Sequence, residues 1–196
     1  MFIPTHRIIA HHVYQQIRQN LSISLNPHMF AYGNMKPDVA PKLKAKKHYM
    51  EPTFDFVLDE IMRLIEDGVS ENALSIGKFS VRLGVICHFL CDFFCLPHHD
   101  REYFSDKLME HMLYERDLHG KFTRFSGVDK IRLPYVGGVT REEIKKAILE
   151  LHADYTASPR GHETDMRCSV NVASAVGIWV IENSILCEPV LEPAHS

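Results

Sequence analysis

Apolar residues recur every three or four positions along most of the chain, which is the spacing of one face of an α-helix. In the first such segment this spacing is followed by Ile8, Ile9, Val13 and Ile17. Thr5 stands just before them and is expected to cap the helix. No segment alternates apolar and polar residues like a half-buried strand. The pattern predicts helices over about residues 6–19, 52–67, 70–94, 100–118, 140–155 and 163–187.

The helix predicted over residues 70–94 differs from the others because its second half is apolar on every side. This part of the chain reads VICHFLCDFFC. A helix without a polar face belongs at the centre of a bundle, and Pro97 is expected to end it. Gly68 is expected to end the preceding helix, and Thr140 to cap a later one. We therefore predict an all-α, multi-helix bundle.

Two segments lack the helical spacing. Residues 25–47 contain three prolines, one glycine and few apolar pairs, and are predicted to form a long ordered loop. Long loops inside compact domains are usually functional. Residues 120–138 are also predicted to be irregular. We expect a single domain over residues 1–187 and a frayed tail over 188–196, which contains two prolines.

The composition fits one globular domain, with 196 residues, 45% of them apolar and 24% charged. The net charge of −3 provides no broad basic surface, so no stable nucleic-acid partner is expected. The chain has no apolar run of about 18 residues, hence no predicted transmembrane segment. It shows no export signal at its start, and its five cysteines are an odd number. Reduced thiols in a cytoplasmic protein are therefore expected.

Histidine is the one unusual feature of the composition, with 13 residues, and it is the commonest metal ligand in proteins. Two motifs place a histidine four residues before a carboxylate: His88 with Asp92, and His111 with Glu115. This spacing puts both side chains on one helix face, where they can bind the same ion. Asp92 lies in the most apolar segment, and no lysine or arginine lies within one helical turn of it. A buried carboxylate needs a partner, and a metal ion would supply one.

The same predicted helix carries Cys87, Cys91 and Cys95, four residues apart. Three thiols can bind a metal ion, but we interpret them as small apolar residues of the core. The run KLKAKK at residues 42–47 is interpreted as a solvated loop. The alternative is that these lysines attract an anionic phosphate substrate.

Residues of the types that bind metal follow one another in a distinctive order through the first part of the chain. The order is His6, Pro37-Asp38, His48-Tyr49, His88-x3-Asp92, Pro97-His98 and His111-x3-Glu115. From the amino terminus to about residue 118, the chain thereby resembles the zinc-dependent phospholipase C family. It is also similar to the zinc-dependent single-strand nucleases of fungi and plants. Its short form resembles the bacterial family members that lack an export signal.

The resemblance implies a phosphodiester hydrolase of phospholipase C type, with a phospholipid as one candidate substrate. Two or three zinc ions would polarise phosphoryl oxygens and lower the pKa of bound water toward about 7. Asp38 would lie at the site as a general base or water-orienting carboxylate, and Asp92 is the second residue expected to be catalytic. The implied ligands are His48, His88 and Asp92 for a first ion, His98, His111 and Glu115 for a second, and His6 with bridging Asp92 for a third, with Asp38 beside them.

Three points of this site stay open in the sequence. Counting six residues from Asp92 selects His98, whereas counting one spacer from Pro97 selects His99; the helix fixes the first count, so we prefer His98. In the secreted relatives an amino-terminal tryptophan supplies its amine and carbonyl to the third ion, and here Met1 could offer its amine. Imidazole and carboxylate sites also accept iron, nickel or manganese.

Two other functions remain as alternatives. A nuclease or small-molecule phosphatase could use the same metals; a nuclease should present aromatic platforms and basic residues near the site. Tyr49 and the lysines of residues 42–47 are the candidates for that role, whereas a lipid enzyme should present an apolar rim. The other alternative is a non-catalytic helical protein whose metal ions stabilise the fold and are closed to solvent. The oligomeric state is not predicted.

Overall fold

The computed structural model describes residues 1–22, 24–69, 74–100, 106–132, 138 and 140–184. These residues form helices and the turns between them, with no strand, which confirms the predicted all-α class. None of the helices found in these ranges is long and apolar enough to cross a membrane. In chain order they are α1 (Ile3–Asn20), α2 (Pro27–Val39), α3 (Pro41–Lys44), α4 (Met50–Val69), α5 (Ile76–Phe93), α6 (Leu96–His99), α7 (Leu108–Phe122), α8 (Arg141–Ala157) and α9 (His162–Glu182).

The start of α1 differs from the prediction. The helix begins at Ile3, with Pro4 in its first turn, where proline is favoured because the missing N–H is not needed there. The prediction that Thr5 caps this helix is therefore wrong. Thr5 lies buried inside α1, and its hydroxyl forms a hydrogen bond of 3.0 Å with Nδ1 of His119 on α7.

Two residues that were expected to end helices do not do so. α4 extends through Gly68 to Val69, and this glycine is closely packed, since a Cβ there would lie 2.8 Å from Cβ of Ser184. α5 ends at Phe93, before the proline that was expected to stop it. Pro97 instead lies in the first turn of α6.

The later helices follow the prediction more closely. α7 extends to Phe122, so residues 120–122 are helical and not irregular. Thr140 caps α8 as predicted, since its hydroxyl accepts a hydrogen bond of 3.3 Å from the backbone N–H of Glu143. The predicted frayed tail, and the predicted helical residues 70–73, 101–105 and 185–187, lie outside the described residues.

The largest difference concerns residues 25–47, which form α2 and α3 instead of a loop. Asn26 caps α2 by accepting a hydrogen bond of 3.0 Å from the N–H of Met29. Pro27 and Pro41 each lie at the start of a helix, where proline is tolerated. Pro37 lies near the end of α2, where its missing N–H removes one hydrogen bond of the helix.

Two glycines place α2 directly against α5. A Cβ on Gly33 would lie 2.2 Å from the carbonyl oxygen of Val81, and a Cβ on Gly84 would lie 2.4 Å from that of Phe30. Any side chain at either position would therefore force the two backbones apart. The sequence pattern missed α2 because this contact is made by glycines and not by a row of large apolar residues.

α5 lies at the centre of the bundle, as its sequence predicts, and packs against α2, α4 and α9. Every residue from Leu83 to Phe93 is buried. Two of these buried residues are polar, His88 and Asp92. The centre of the core therefore carries the strongest candidates for chemistry.

Candidate metal centre

One ring nitrogen of His88, on α5, is hydrogen-bonded to the backbone, and the other faces a carboxylate. Its Nδ1–H donates a hydrogen bond of 2.7 Å to the backbone carbonyl of Asn34 on α2. Because a carbonyl only accepts, Nδ1 carries a proton, which leaves Nε2 as the ring nitrogen that can bind a metal ion. Nε2 lies 3.2 Å from Oδ2 of Asp92. This is how a metal-binding histidine is usually oriented.

His48 and Asp38 approach the same point from two other parts of the fold. Nδ1 of His48, just before α4, lies 2.8 Å from Oδ2 of Asp92 and 3.1 Å from Nε2 of His88. Oδ1 of Asp38, on α2, lies 3.8 Å from each of these two histidine nitrogens. Its other oxygen, Oδ2, is buried without a hydrogen-bond partner. Burial raises the pKa of Asp38.

His6, on α1, is the fourth residue of this group in contact with Asp92 or His88. Its ring is fully buried and stacks on that of His88, with 3.8 Å between the ring centroids. Nε2 of His6 lies 3.3 Å from Oδ1 of Asp92, but neither ring nitrogen makes a hydrogen bond. Burial, together with the neighbouring His88, lowers the pKa of His6 to about 3. A neutral imidazole buried without a partner is costly, and a bound cation would remove that cost.

A second group lies beside Asp92, formed by His98 on α6 with His111 and Glu115 on α7. Oε1 of Glu115 lies 2.8 Å from Nε2 of His111 and 3.1 Å from Nε2 of His98. Burial would raise the pKa of Glu115, but its hydrogen bonds with His111 and His98 hold that pKa well below its usual range. Glu115 is therefore ionised and able to bind a cation.

The α-amino group of Met1 lies between the two groups. Its nitrogen is 2.8 Å from Oδ1 of Asp92, 2.9 Å from Nε2 of His98 and 3.3 Å from Oε1 of Glu115. Burial alone would lower the pKa of this amine, but the carboxylates of Asp92 and Glu115 raise it to about 12. The nitrogen of Met1, whose reach the sequence left open, therefore lies at the site as a positively charged hydrogen-bond donor.

Asp92 joins the two groups, because its two oxygens face in different directions. Oδ2 faces His48 and His88 of the first group, whereas Oδ1 faces Met1 and His6 and lies 3.8 Å from Nε2 of His98 in the second group. Burial opposes ionisation, but the Met1 ammonium and the surrounding imidazoles hold the pKa of Asp92 well below its usual range. All the residues predicted to form the site are brought together around it, namely His6, Asp38, His48, His88, Asp92, His98, His111 and Glu115.

Other candidates for metal binding lie elsewhere. The ring of His99 packs against that of His152, with 5.0 Å between the ring centroids, and His99 belongs to none of the groups able to hold a metal. Cys87 and Cys91 direct their thiols at backbone carbonyls of Ala173 and Ser169 on α9, at 3.7 and 3.6 Å. Within the described ranges, no group of residues able to hold a metal contains a cysteine.

The residues present fit a small cluster of metal ions. Three donor groups, two of which share His88, each place one ligand atom per residue within 4.8 Å of the others: His6, His88 and Asp92; Asp38, His48 and His88; and His98, His111 and Glu115. Imidazole nitrogens and carboxylate oxygens are the donors that zinc accepts in catalytic sites. The unpartnered ring nitrogens of His6 are the atoms that gain most from a bound cation.

Two contacts that support the site were missed in the sequence. The carbonyl of Asn34 is a backbone group that every residue type carries, so the sequence gives no signal for it. Asp165 accepts hydrogen bonds behind the second group. Helical spacing could have found it, because Asp165 shares the buried face of α9 with Ser169, Val172 and Val176.

Comparison with known proteins identified the family. The family model described as zinc-dependent phospholipase C matches residues 5–161, which include all the predicted ligands. No curated protein and no solved structure matched the chain. The match covers most of the chain and agrees with its helical fold, so the chain belongs to the zinc-dependent phospholipase C family.

Proposed function

We propose that this protein is a zinc-dependent phosphodiester hydrolase of the phospholipase C type. The observation that carries the proposal is the convergence of three donor groups around Asp92, whose oxygens face different groups. Two or three zinc ions are proposed, bound by His48, His88 and Asp92, by His98, His111 and Glu115, and by His6 with Asp92.

The protein groups divide the chemistry between them. When bound, the ions polarise the phosphoryl oxygens and make a water molecule more acidic. Asp38 accepts the proton of the attacking water at Oδ2, the oxygen without a hydrogen-bond partner. Burial raises the pKa of Asp38, which makes it a stronger base. The hydrogen bond to the carbonyl of Asn34 orients the ring of His88, so that its Nε2 faces the reacting centre.

Partial exposure favours catalysis over a purely structural role for the metals. The side chains of His48, His98 and His111 are 17%, 14% and 28% exposed. A structural zinc site is closed by protein ligands, whereas a catalytic site keeps a position open to water or substrate. Ligands that reach the surface suit the second kind.

The surface beside His111 favours a phospholipid over a nucleic acid. Four apolar side chains of α7 flank this histidine and are between 40% and 71% exposed, namely Leu108, Met109, Met112 and Leu113. An apolar rim of this kind suits acyl chains. The aromatic platform expected of a nuclease has one sequence candidate, Tyr49, and its side chain is half-buried.

The proposal is tested by metal content and substrate range. The protein is purified without nickel affinity, loaded with zinc and analysed for metal; we expect two or three ions per chain. It is then given a short-chain phosphatidylcholine, a single-stranded oligonucleotide and a phosphomonoester, with the metal-free protein as the control. We expect release of the phosphorylated head group from the lipid. Retained zinc with no hydrolysis of either phosphodiester would contradict the proposal, and cleavage of the oligonucleotide alone would favour the nuclease alternative.

A further inference from the structure

A second buried polar cluster lies behind the candidate metal centre, around Asp165 on α9. This side chain is fully buried. Its Oδ2 accepts two hydrogen bonds of 2.9 Å, from the backbone N–H of Leu96 and from the hydroxyl of Tyr114. Its Oδ1 accepts a third, also of 2.9 Å, from the hydroxyl of Tyr155. The Cys95 thiol adds a further contact.

The two donors to Oδ2 belong to the elements that carry the second metal group. Leu96 is the first residue of α6, two residues before His98. Tyr114 lies on α7 immediately before Glu115. α6 has four residues, and a helix that short has no stability of its own. Its position must therefore be fixed by contacts with other elements, and Asp165 supplies one.

We propose that Asp165 is a positioning residue for the second metal group. One carboxylate oxygen joins α6 to α7, so that His98 is held opposite Glu115 before a metal ion arrives. This inference rests on the proposed function, since it assumes that the second group binds zinc.

Tyr155 provides an internal comparison. It donates the same kind of hydrogen bond, of the same length, to the same carboxylate as Tyr114 does. However, it lies on α8, which carries none of the proposed ligands. If Asp165 has a purely structural role, loss of either tyrosine hydroxyl should affect zinc binding equally. If it positions the second metal group, only the hydroxyl of Tyr114 should matter for zinc binding.

The experiment compares Tyr114→Phe with Tyr155→Phe. Each variant loses one hydroxyl and keeps its ring, including the stacking of Tyr114 on His162. Zinc affinity is measured by competition with a chromophoric chelator, and the metal environment by the visible spectrum of the cobalt-loaded protein. We expect Tyr114→Phe to weaken the second zinc site by about 10- to 100-fold, as is common for such supporting contacts, and to change the cobalt spectrum. Tyr155→Phe should leave both readouts as in the wild type.

Two substitutions of Asp165 itself provide a rescue test. Asp165→Asn retains a carbonyl oxygen that can accept from Leu96 and Tyr114, while its amide donates to the hydroxyl of Tyr155. Asp165→Leu keeps none of these bonds. We expect Asn to retain most of the zinc affinity and Leu to lose it at the second site.

The proposal is wrong if Tyr114→Phe and Tyr155→Phe change zinc affinity equally, or if neither changes it while both lower stability. The tyrosine pair keeps the proposal testable if Asp165→Leu does not fold. Failure of the proposed function is distinguished beforehand, because wild-type protein that retains no zinc would show it before any variant is made.

Discussion

The Nδ1–H of His88 donates a hydrogen bond of 2.7 Å to the backbone carbonyl of Asn34, and this contact decides which nitrogen of His88 faces the metal centre. The contact crosses from α5 to α2 and depends on how closely these helices approach. That approach is possible because Gly33 and Gly84 have no side chains. Residues without any chemistry of their own thus set the orientation of a proposed ligand.

Gly84→Ala is expected to destabilise the protein. A Cβ there would lie 2.4 Å from the carbonyl oxygen of Phe30, so α2 must move away from α5. We expect the free energy of unfolding to fall by about 2 kcal/mol or more, as measured by urea denaturation. Zinc affinity should fall too, because His88 loses its acceptor.

Gly120→Ala is the matched control for this variant. Gly120 also lies in a helix, α7, but a Cβ there would have nothing within 4 Å. Alanine should therefore leave stability unchanged or raise it by up to about 1 kcal/mol. Equal losses in the two variants would show that close packing of α2 on α5 is not the cause.

Asp92→Asn is expected to abolish both zinc retention and hydrolysis. The substitution removes the charge that faces both metal groups, although the shape of the side chain is nearly kept. Elemental analysis of the purified variant checks the metal, and the lipid assay checks activity. Asp117→Asn on α7 is the control, because that carboxylate is exposed and lies outside the cluster. Full activity in Asp92→Asn would rule out the proposed site.

The sequence predicted those parts of the fold and site that depend on neighbours along one helix. The apolar run around His88 predicted the central helix, and the four-residue spacings predicted that His88 and Asp92, and His111 and Glu115, would each share a helix face. Resemblance to a family then supplied Asp38, which lies far away in sequence. Each of these predictions uses residue type and order alone.

The parts that were missed depend on contacts between helices. α2 is held by glycines, which carry no apolar signal, so its residues were predicted as a loop. The carbonyl of Asn34 and the N–H of Leu96 are backbone groups, and any residue type could supply them. The choice of His98 over His99 was made by counting along a helix, but α5 ends at Phe93, so it is the path of the chain beyond that helix that places His98 beside Glu115.

That last choice can be tested with two neighbouring alanine variants. Nε2 of His98 lies 3.1 Å from Oε1 of Glu115, whereas the ring of His99 packs against His152 and Tyr155. We expect His98→Ala to lose the second zinc ion and hydrolysis. His99→Ala should keep both and lose only a little stability. Elemental analysis of the two proteins decides between them, and loss of zinc from His99→Ala would mean that the alternative count was right.

The burial of His6 predicts how the metal-free protein responds to acid. Its pKa is about 3 in the folded protein, because of burial and the neighbouring His88, against an ordinary value of 6.5. Between these values the unfolded chain binds a proton that the folded protein does not. The free energy of unfolding should therefore fall as the pH is lowered from about 7 toward about 3, and this contribution should level off below.

His6→Gln removes this titratable group and should make the free energy of unfolding depend less steeply on pH. Urea midpoints of the metal-free wild type and variant, measured at several pH values between 7.5 and 4.5, give the comparison. Near pH 7.5 neither the folded nor the unfolded wild type carries the proton on His6, so any difference there reports the lost stacking on His88. Below pH 6.5 the stability curves of the two proteins should converge. Only the wild type loses stability there through His6, because its imidazole stays neutral in the folded protein and is protonated in the unfolded chain. Parallel curves over the whole range would mean that His6 takes up its proton in the folded protein, and that it lies in a more polar environment than its position behind Asp92 implies.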